Sequence, residues 1–250
     1  MDPGSGSGMT QMQIIPAILE KNFVDVSTRL EQVVGSAKTV QIDVCDGVFV
    51  PSVSWPYTAP MTAGGPNHYD HDFKDIVGGE GEVNMPHWED LDFELDLMVA
   101  DPKRLLPHLL TIGPSRVIFH AEALKDLESD MYELAKMIPP IVEIGIAIHL
   151  NTNPEILFNL IDEKIISSVQ CMGIASIGSQ GQPQDERVYA NLHTLRSKYP
   201  DLPLSVDGAV TLENALKLKE AGASRLVVGS ALFSAENPAS QIAAFKKVVQ

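Results

Sequence analysis

Three aspartates lie inside or at the end of short apolar stretches that are typical of buried β-strands. Asp43 lies in QIDVCDG, Asp96 in FELDLM and Asp207 in LSVDGAV. A carboxylate is costly to bury, although a turn is a sufficient explanation for a single acid such as Asp46 before Gly47. Three acids at corresponding positions indicate a site instead, because converging carboxylates can exchange protons with a substrate or hold a divalent cation.

The pattern of the chain supplies elements that could bring these acids together. Short β-branched runs predict eight strands, at residues 13–18, 39–44, 93–98, 116–120, 142–148, 168–173, 204–207 and 225–229. Helical patterns lie between most of them, at residues 22–34, 102–112, 125–137, 154–161, 185–198, 212–221 and 238–249. This alternation predicts an α/β fold, a (β/α)8 TIM barrel, whose catalytic groups lie at the C-terminal ends of the strands. A doubly wound open sheet is the alternative, but no Gly-x-Gly-x-x-Gly follows the first strand.

Residues 48–90 interrupt this alternation. The segment contains five prolines and two Gly-Gly pairs, and only a short piece near residues 70–77 has a helical pattern. We interpret it as an enlarged loop after strand two that covers the barrel mouth, with a disordered insertion as the alternative. Residues 1–8 have the composition of a cloning remnant, so we expect residues 9–250 to form a single barrel domain.

Composition excludes several classes of function. The net charge of −15 argues against nucleic acid and anionic membranes as partners. No apolar run approaches the roughly 20 residues that span a bilayer. Cys45 and Cys171 are the only cysteines and form no Cys-x-x-Cys pair, which argues against a disulfide framework and a cysteine-based zinc site. A reducing cytoplasm is therefore the expected location.

Several motifs, in order, resemble those of the ribulose-phosphate 3-epimerase family over nearly all of residues 12–250. IIPAIL is similar to the family's first strand, and QIDVCDGVFVPS to its His-x-Asp-x-Met-Asp-Gly-x-Phe-Val-Pro-Asn signature. ELDLMVADP is similar to its Asp-x-His-Leu-Met segment, and FHAEA, GIAIHLNTNPE, VDGAV and VVGSALF match in order and spacing. The resemblance implies a (β/α)8 barrel whose reaction inverts C3 of a pentulose 5-phosphate.

The resemblance also implies a mechanism and a metal. Two aspartates on opposite faces of the substrate move a proton through an enediolate, and here they match Asp43 and Asp207. Inversion needs a base on each face, which explains the pairing. A divalent metal, usually zinc or iron, is held in the family by two histidines and the same two aspartates. Gln41 and Asp96 stand at the two histidine positions of this chain.

Gln41, Asp43, Asp96 and Asp207 would form a metal site of oxygen ligands alone. Such a set suits Mg²⁺ or Mn²⁺ better than Zn²⁺. Without a metal, three nearby carboxylates would repel one another and at least one should hold a proton. A protonated acid could then donate to an enediolate, so a site without any cofactor is the alternative.

The resemblance further implies a phosphate site, built from backbone N–H groups in the loops after strands six, seven and eight. The matching residues are Gly178, Gly181, Gly208, Ala209, Gly229 and Ser230. Ala209 replaces the usual second glycine, a change that a backbone donor tolerates if φ stays negative. The substrate pocket is expected to include Ala17, Cys45, Met98, His120 and Met172.

Other polar side chains have simpler explanations. The long loop could return an imidazole to the acids, although a solvated loop is the simpler expectation for His68, Asp70, His71 and Asp72. His120 and Glu122 could support the site from behind or be satisfied polar groups at a strand end. We expect His149 to be structural, and Cys45 to be a small core residue rather than a nucleophile.

Three functions are therefore open. The first is a sugar-phosphate epimerase or isomerase with an altered metal site, acting on a small phosphorylated sugar and forming a homo-oligomer. The second is a decarboxylase on a related barrel that uses an Asp-x-Lys-x-x-Asp cluster. Asp96 and Asp101 match its two acids, but Met98 stands at the position of its lysine. The third is a barrel that binds a sugar phosphate without catalysis.

Overall fold

The computed structural model describes residues 12–61, 69–70, 73, 85–178 and 181–250. Eight parallel strands close into a barrel in chain order, with β8 paired to β1. The strands are β1 Gln13–Ile18, β2 Thr39–Cys45, β3 Asp92–Met98, β4 Arg116–His120, β5 Glu143–Ile148, β6 Ser168–Met172, β7 Leu204–Asp207 and β8 Arg225–Val228. The predicted TIM barrel is confirmed, and each predicted strand is present with its ends shifted by at most one residue.

The helices also follow the predicted pattern. They are α1 Phe23–Val33, α2 Pro102–Leu110, α3 Leu127–Met137, α4 Phe158–Asp162, α5 Arg187–Lys198, α6 Leu212–Glu220, α7 Ser230–Phe233 and α8 Pro238–Val248. Asx side chains begin α1, α2, α3 and α8 by accepting a backbone N–H of the first turn. The helix predicted at 154–161 begins as a 3-10 turn, Pro154–Leu157, before α4. None of the described helices has the length and apolar character of a membrane span.

The connection from β2 to β3 runs from residue 46 to residue 91. Its first part contacts the barrel mouth, where the ring of Phe49 lies 5.3 Å from that of His120 and the Ser52 hydroxyl donates to the Gly178 carbonyl. Its middle part contributes an aromatic cluster that contacts α1 and α2, formed by Trp55, Tyr57, Tyr69 and Phe73 with Phe23 and His108. His68, His71, Asp72 and most of the predicted 70–77 helix lie outside the described residues, as do residues 1–8.

Alternating side chains divide each strand between two environments. Side chains on the outer face, such as Ile42, Leu95 and Val206, pack in the core between the barrel and the helices. Hydrogen bonds that join strands not adjacent in the sheet identify the inner face. Glu94 on β3, for example, contacts Arg225 on β8.

The N-terminal end of the barrel interior is filled by an ion cluster. Glu94 is completely buried and accepts from Arg116 Nη1 at 2.9 Å and from Arg225. Arg225 also donates to Ser205 Oγ at 3.0 Å and to Gln13 Oε1 at 2.9 Å. Two guanidinium groups therefore share one buried carboxylate, and this layer forms the floor beneath the acids of the mouth.

Replacing Glu94 by Gln should destabilise the protein by about 3–5 kcal/mol, because buried Arg225 loses its charged partner and Arg116 keeps only the half-exposed Glu143. The matched control is Glu143→Gln. Glu143 contacts the same Arg116, but its side chain is 54% exposed, so we expect a loss of at most about 1 kcal/mol. Urea unfolding of both variants measures the difference, and equal effects would contradict the role of the floor.

Candidate active site

The three aspartates meet inside the barrel at the C-terminal ends of β2, β3 and β7. A carboxylate oxygen of each lies within 4.8 Å of the other two. Asp43 and Asp96 are partners on adjacent parallel strands, and Asp207 approaches them from the opposite wall. The structure thus brings together the three acids that the sequence pattern singled out.

Two buried amides bridge the acids. Gln41 Nε2 donates to Asp43 Oδ1 and to Asp207 Oδ2, both at 2.8 Å. Gln170 Nε2 donates to Asp96 Oδ2 and to Asp207 Oδ2, both at 3.2 Å. Each amide thereby places N–H groups between two carboxylates, and this arrangement offsets part of their mutual repulsion.

His120 completes the row of alternating donors and acceptors. Its Nε2 lies 3.0 Å from Asp96 Oδ1, and the ring is completely buried. Burial of the ring opposes its protonation, but the charge of Asp96 and its hydrogen bond together raise the pKa of His120 above its usual value. An imidazole that carries a proton on Nε2 is thus the donor that holds Asp96 in place.

The acids themselves are strongly perturbed. Burial, followed by the charges of Asp207 and Asp96, raises the pKa of Asp43 well above its usual value. Burial and the charge of Asp96 raise the pKa of Asp207 to about 7, although the hydrogen bond from Gln41 lowers it. A carboxyl with a pKa of about 7, as in Asp207, can either accept or release a proton near neutral pH, as proton transfer in two directions requires.

A pocket opens from these acids toward the loops after β6, β7 and β8. Asp43 and Asp207 form part of its wall, with the pocket and phosphate residues that the sequence predicted, Ala17, Met98, Met172, Gly178, Gly181, Gly208, Ala209, Gly229 and Ser230. Cys45 lies behind this wall, where its Sγ is 3.9 Å from Met98 Sδ. Burial and the nearby Asp43 charge raise the pKa of the Cys45 thiol, which agrees with a packing role.

The turn after β7 corrects one expectation. The sequence analysis required a negative φ at Ala209, but its φ is 55°, so this condition is not met. A residue with a Cβ is strained in this left-handed conformation by about 1–2 kcal/mol. Asn214 holds the turn, because its side chain donates to the Ala209 carbonyl at 2.7 Å and accepts from Thr211 N at 2.8 Å.

Several candidate residues lie outside the acid cluster. Asp46 accepts from the backbone N–H groups of Val48, Phe49 and Ala100 and is a turn residue. Glu122 accepts from His149 N at 2.8 Å, and His149 Nε2 contacts the Ala175 carbonyl at 2.9 Å. These bonds tie loops of the barrel mouth together without reaching the acids.

Gln170 is the site residue that the sequence analysis missed. It is the one strongly polar residue inside SVQCM, the β6 strand, and it lies on the same side of the strand as Met172. The same signal that marked Asp43, a polar group at an inward position of an apolar strand, could have identified it.

The donor set can accommodate a hard divalent cation. Three carboxylates converge, and the amide oxygens of Gln41 and Gln170 are buried without a hydrogen-bond partner among the described residues. A buried acceptor without a partner needs an explanation. Carboxylate and amide oxygens are ligands that Mg²⁺, Mn²⁺ and Ca²⁺ accept, whereas Zn²⁺ sites favour nitrogen and sulfur.

Replacing Asp207 by Asn should stabilise the cation-free protein, increasingly so as the pH rises from about 4 to about 7. The folded chain keeps a proton on Asp207 up to about pH 7, whereas the unfolded carboxyl releases its proton near pH 4. Ionisation stabilises the unfolded state throughout this window, so wild-type stability falls as the pH rises. We expect the advantage of D207N to reach about 2–4 kcal/mol at pH 7 and to stay constant above it.

Urea unfolding in EDTA at pH 5, 6, 7 and 8 measures this difference. Asp162→Asn is the control, because the Asp162 side chain is 56% exposed and D162N should show no such trend. A D207N advantage that is independent of pH would contradict the raised pKa of Asp207.

Comparison with known proteins shows which family this chain is similar to. The model of the ribulose-phosphate 3 epimerase family matches residues 76–233. A ribulose-phosphate 3-epimerase of Candida glabrata is 27% identical over 249 residues, which cover 97% of this chain and 94% of that protein. A ribulose-phosphate 3-epimerase of Bacillus subtilis is 26% identical over 228 residues, which cover 89% of this chain and 92% of that protein.

Solved structures share the barrel at lower identity. The 3-keto-L-gulonate-6-phosphate decarboxylase of Vibrio cholerae has a TM-score of 0.67 at 15% identity, covering 96% of this chain and 98% of its own. A ligand complex of KGPDC from Streptococcus mutans has a TM-score of 0.64 at 14% identity, covering 96% and 97%. These likenesses show the fold alone. By the match to the family model and the full-length relatives, the chain belongs to the ribulose-phosphate 3-epimerase family, as a divergent member.

Proposed function

We propose that this protein is a sugar-phosphate epimerase, most like ribulose-5-phosphate 3-epimerase, in which Asp43 and Asp207 are the two proton-transfer groups. One observation carries the proposal: the two carboxyls reach the same pocket from different walls of the barrel, and the pKa of each is raised. An acid and a base that face each other across a pocket are what inversion of a carbon centre requires.

The reaction begins with one of the two carboxyls ionised and the other protonated. The ionised group removes the proton from the carbon next to the carbonyl, and the electrons of that C–H bond form an enediolate. The protonated group then donates to the opposite face of the same carbon, which inverts it. In the reverse direction Asp43 and Asp207 exchange roles, and in the cation-free site the Gln41 amide, bonded to both, keeps them oriented.

The negative charge of the enediolate needs a positive neighbour. Asp43, Asp96, Asp207 and Gln41 would hold a divalent cation, Mg²⁺ or Mn²⁺ rather than Zn²⁺, and this cation would stabilise the enediolate oxygen. His120 supports the set by donating to Asp96. It thereby orients a carboxylate that would bind the ion, as partners behind metal ligands commonly do.

The phosphate end of the substrate fits the glycine-rich side of the pocket. Gly208, Ala209, Gly229 and Ser230 line this side and carry backbone N–H groups suited to an anion. The chain carries a net charge of −15, so a phosphorylated substrate needs such local donors to bind.

The two alternatives have less support. A lysine-dependent decarboxylase would need a lysine where Met98 stands, and the side chain of Asp101 accepts from Arg104 N as the cap of α2 rather than facing the acids. A barrel that only binds a sugar phosphate has no use for perturbed acids on two walls of one pocket. The acid pair therefore favours an enzyme.

Exchange of the C3 proton of D-ribulose 5-phosphate with D₂O, followed by ¹H NMR with and without added Mn²⁺, tests the proposal. We expect the wild-type protein to exchange this proton and to form the C3 epimer, and we expect formation of the epimer to fall at least about 100-fold in Asp43→Asn and in Asp207→Asn, because each variant lacks one of the two proton-transfer groups. Substrate binding, measured by calorimetry, should persist in both variants, since the phosphate contacts are untouched.

Asp101→Asn is the matched control, because it changes an acid outside the cluster and should exchange at the wild-type rate. Comparison of the rates with and without Mn²⁺ separates a cation-dependent site from one that uses protonated acids alone. Undiminished formation of the C3 epimer in either D43N or D207N would overturn the two-base assignment.

A further inference from the structure

Gln170 is a buried polar group that the proposed reaction does not use. Its side chain is 1% exposed and lies inside the barrel on β6, between Asp96 and Asp207. An apolar side chain would fill this interior position without the free-energy cost of burying an amide. The amide therefore has to be explained by what it contacts, and its contacts are two of the three acids.

Gln170 and Gln41 make the same kind of hydrogen bonds to the acids. Each directs its Nε2 at two carboxylates, and both donate to the same atom, Asp207 Oδ2. Each also leaves its Oε1 buried without a hydrogen-bond partner among the described residues. Packing alone would explain a single amide in this arrangement. Two amides that donate to the same carboxylate oxygen indicate a shared role.

An amide can exchange the positions of its nitrogen and oxygen by turning about its last side-chain bond, and the two orientations occupy nearly the same space. Three carboxylates without a cation need donors between them, so the nitrogen faces inward. A cation at the same place would repel those N–H groups and attract the amide oxygens. The charge at the centre of the cluster thus decides which atom of each amide faces the acids.

We propose that Gln170 belongs to the cation site and that, together with Gln41, it is a ligand that responds to the ion. The amide nitrogens bridge the carboxylates when no ion is bound, and the amide oxygens turn inward to bind a hard divalent cation when one enters. Gln170 then adds a fifth side chain to the four residues named above. This inference rests on the cation part of the proposed function and is independent of the substrate.

Mn²⁺ binding to the purified, chelator-stripped protein tests the role of Gln170, with free Mn²⁺ measured by electron paramagnetic resonance. Gln170→Leu keeps the approximate volume and removes the amide oxygen, so we expect Mn²⁺ affinity to fall by about 10–100-fold. Gln170→Glu replaces the amide by an anionic oxygen donor. We expect Q170E to bind Mn²⁺ more tightly than wild type and to have a lower melting temperature in EDTA, because a fourth carboxylate joins the cluster without its N–H donors.

The control is Ser168→Ala, two residues earlier on the same side of β6, which should change neither quantity. A packing role for Gln170 would lower the melting temperature of Q170L in EDTA without changing Mn²⁺ affinity, and this result would overturn the inference. Failure of the wild-type protein to bind Mn²⁺ would overturn it as well.

The outcomes also separate this inference from the proposed function. Binding of Mn²⁺ that depends on Gln170, without exchange of the substrate proton, would retain the cation site and reject the epimerase. Exchange of the substrate proton with Mn²⁺ binding unaffected by Q170L would retain the epimerase and reject the role of Gln170.

Discussion

Repulsion among three carboxylates inside a barrel is the constraint that the rest of this site satisfies. Asp43, Asp96 and Asp207 bring their oxygens within 4.8 Å of one another, and Asp43 and Asp96 are buried while Asp207 is partly buried. Ionised together and unsupported, they would destabilise the fold by several kcal/mol. Three features reduce this repulsion: amide donors placed between the acids, an imidazole behind Asp96, and the raised pKa values of Asp43 and Asp207, which favour their protonated forms.

The same three features also prepare the site for proton transfer. A proton held on one carboxyl at neutral pH is available to a substrate carbon, and a neighbouring ionised carboxyl is available to remove one. Amides that bridge the acids limit their movement, so each keeps its direction toward the pocket. Below them, the cluster of Glu94 with Arg116 and Arg225 fixes the strands from which the acids project. The arrangement of the three acids thus creates the repulsion between them and also provides the groups that transfer protons.

Much of the fold could be predicted from the sequence because β-branched runs and Asx caps are local signals. The eight strands and most helix ends follow from them directly, as at Asp101 before α2. The convergence of Asp43, Asp96 and Asp207 also followed, because all three stand at the same end of predicted parallel strands. These predictions depend on periodicity along the chain, which one sequence contains.

What could not be predicted depends on contacts across the barrel. Gln170 is a single polar residue in an apolar strand, and only the closed sheet shows that it reaches Asp96 and Asp207 from β6. The left-handed turn at Ala209 is held by the Asn214 side chain, five residues further along the chain. The contact of His120 with Asp96 could not be predicted either, because Asp96 lies on the neighbouring strand.

The central claim is that two separate acids, on two faces of a sugar phosphate, invert its carbon centre. The most direct test is an early time course of the wild-type protein with D-ribulose 5-phosphate in D₂O, in which deuterium at C3 is measured separately in product and in recovered substrate. Two bases predict an epimerised product that carries deuterium from its first turnover, while the recovered substrate carries none. Deuterium that enters the substrate as fast as the product, or no epimerised product at all, would contradict the account.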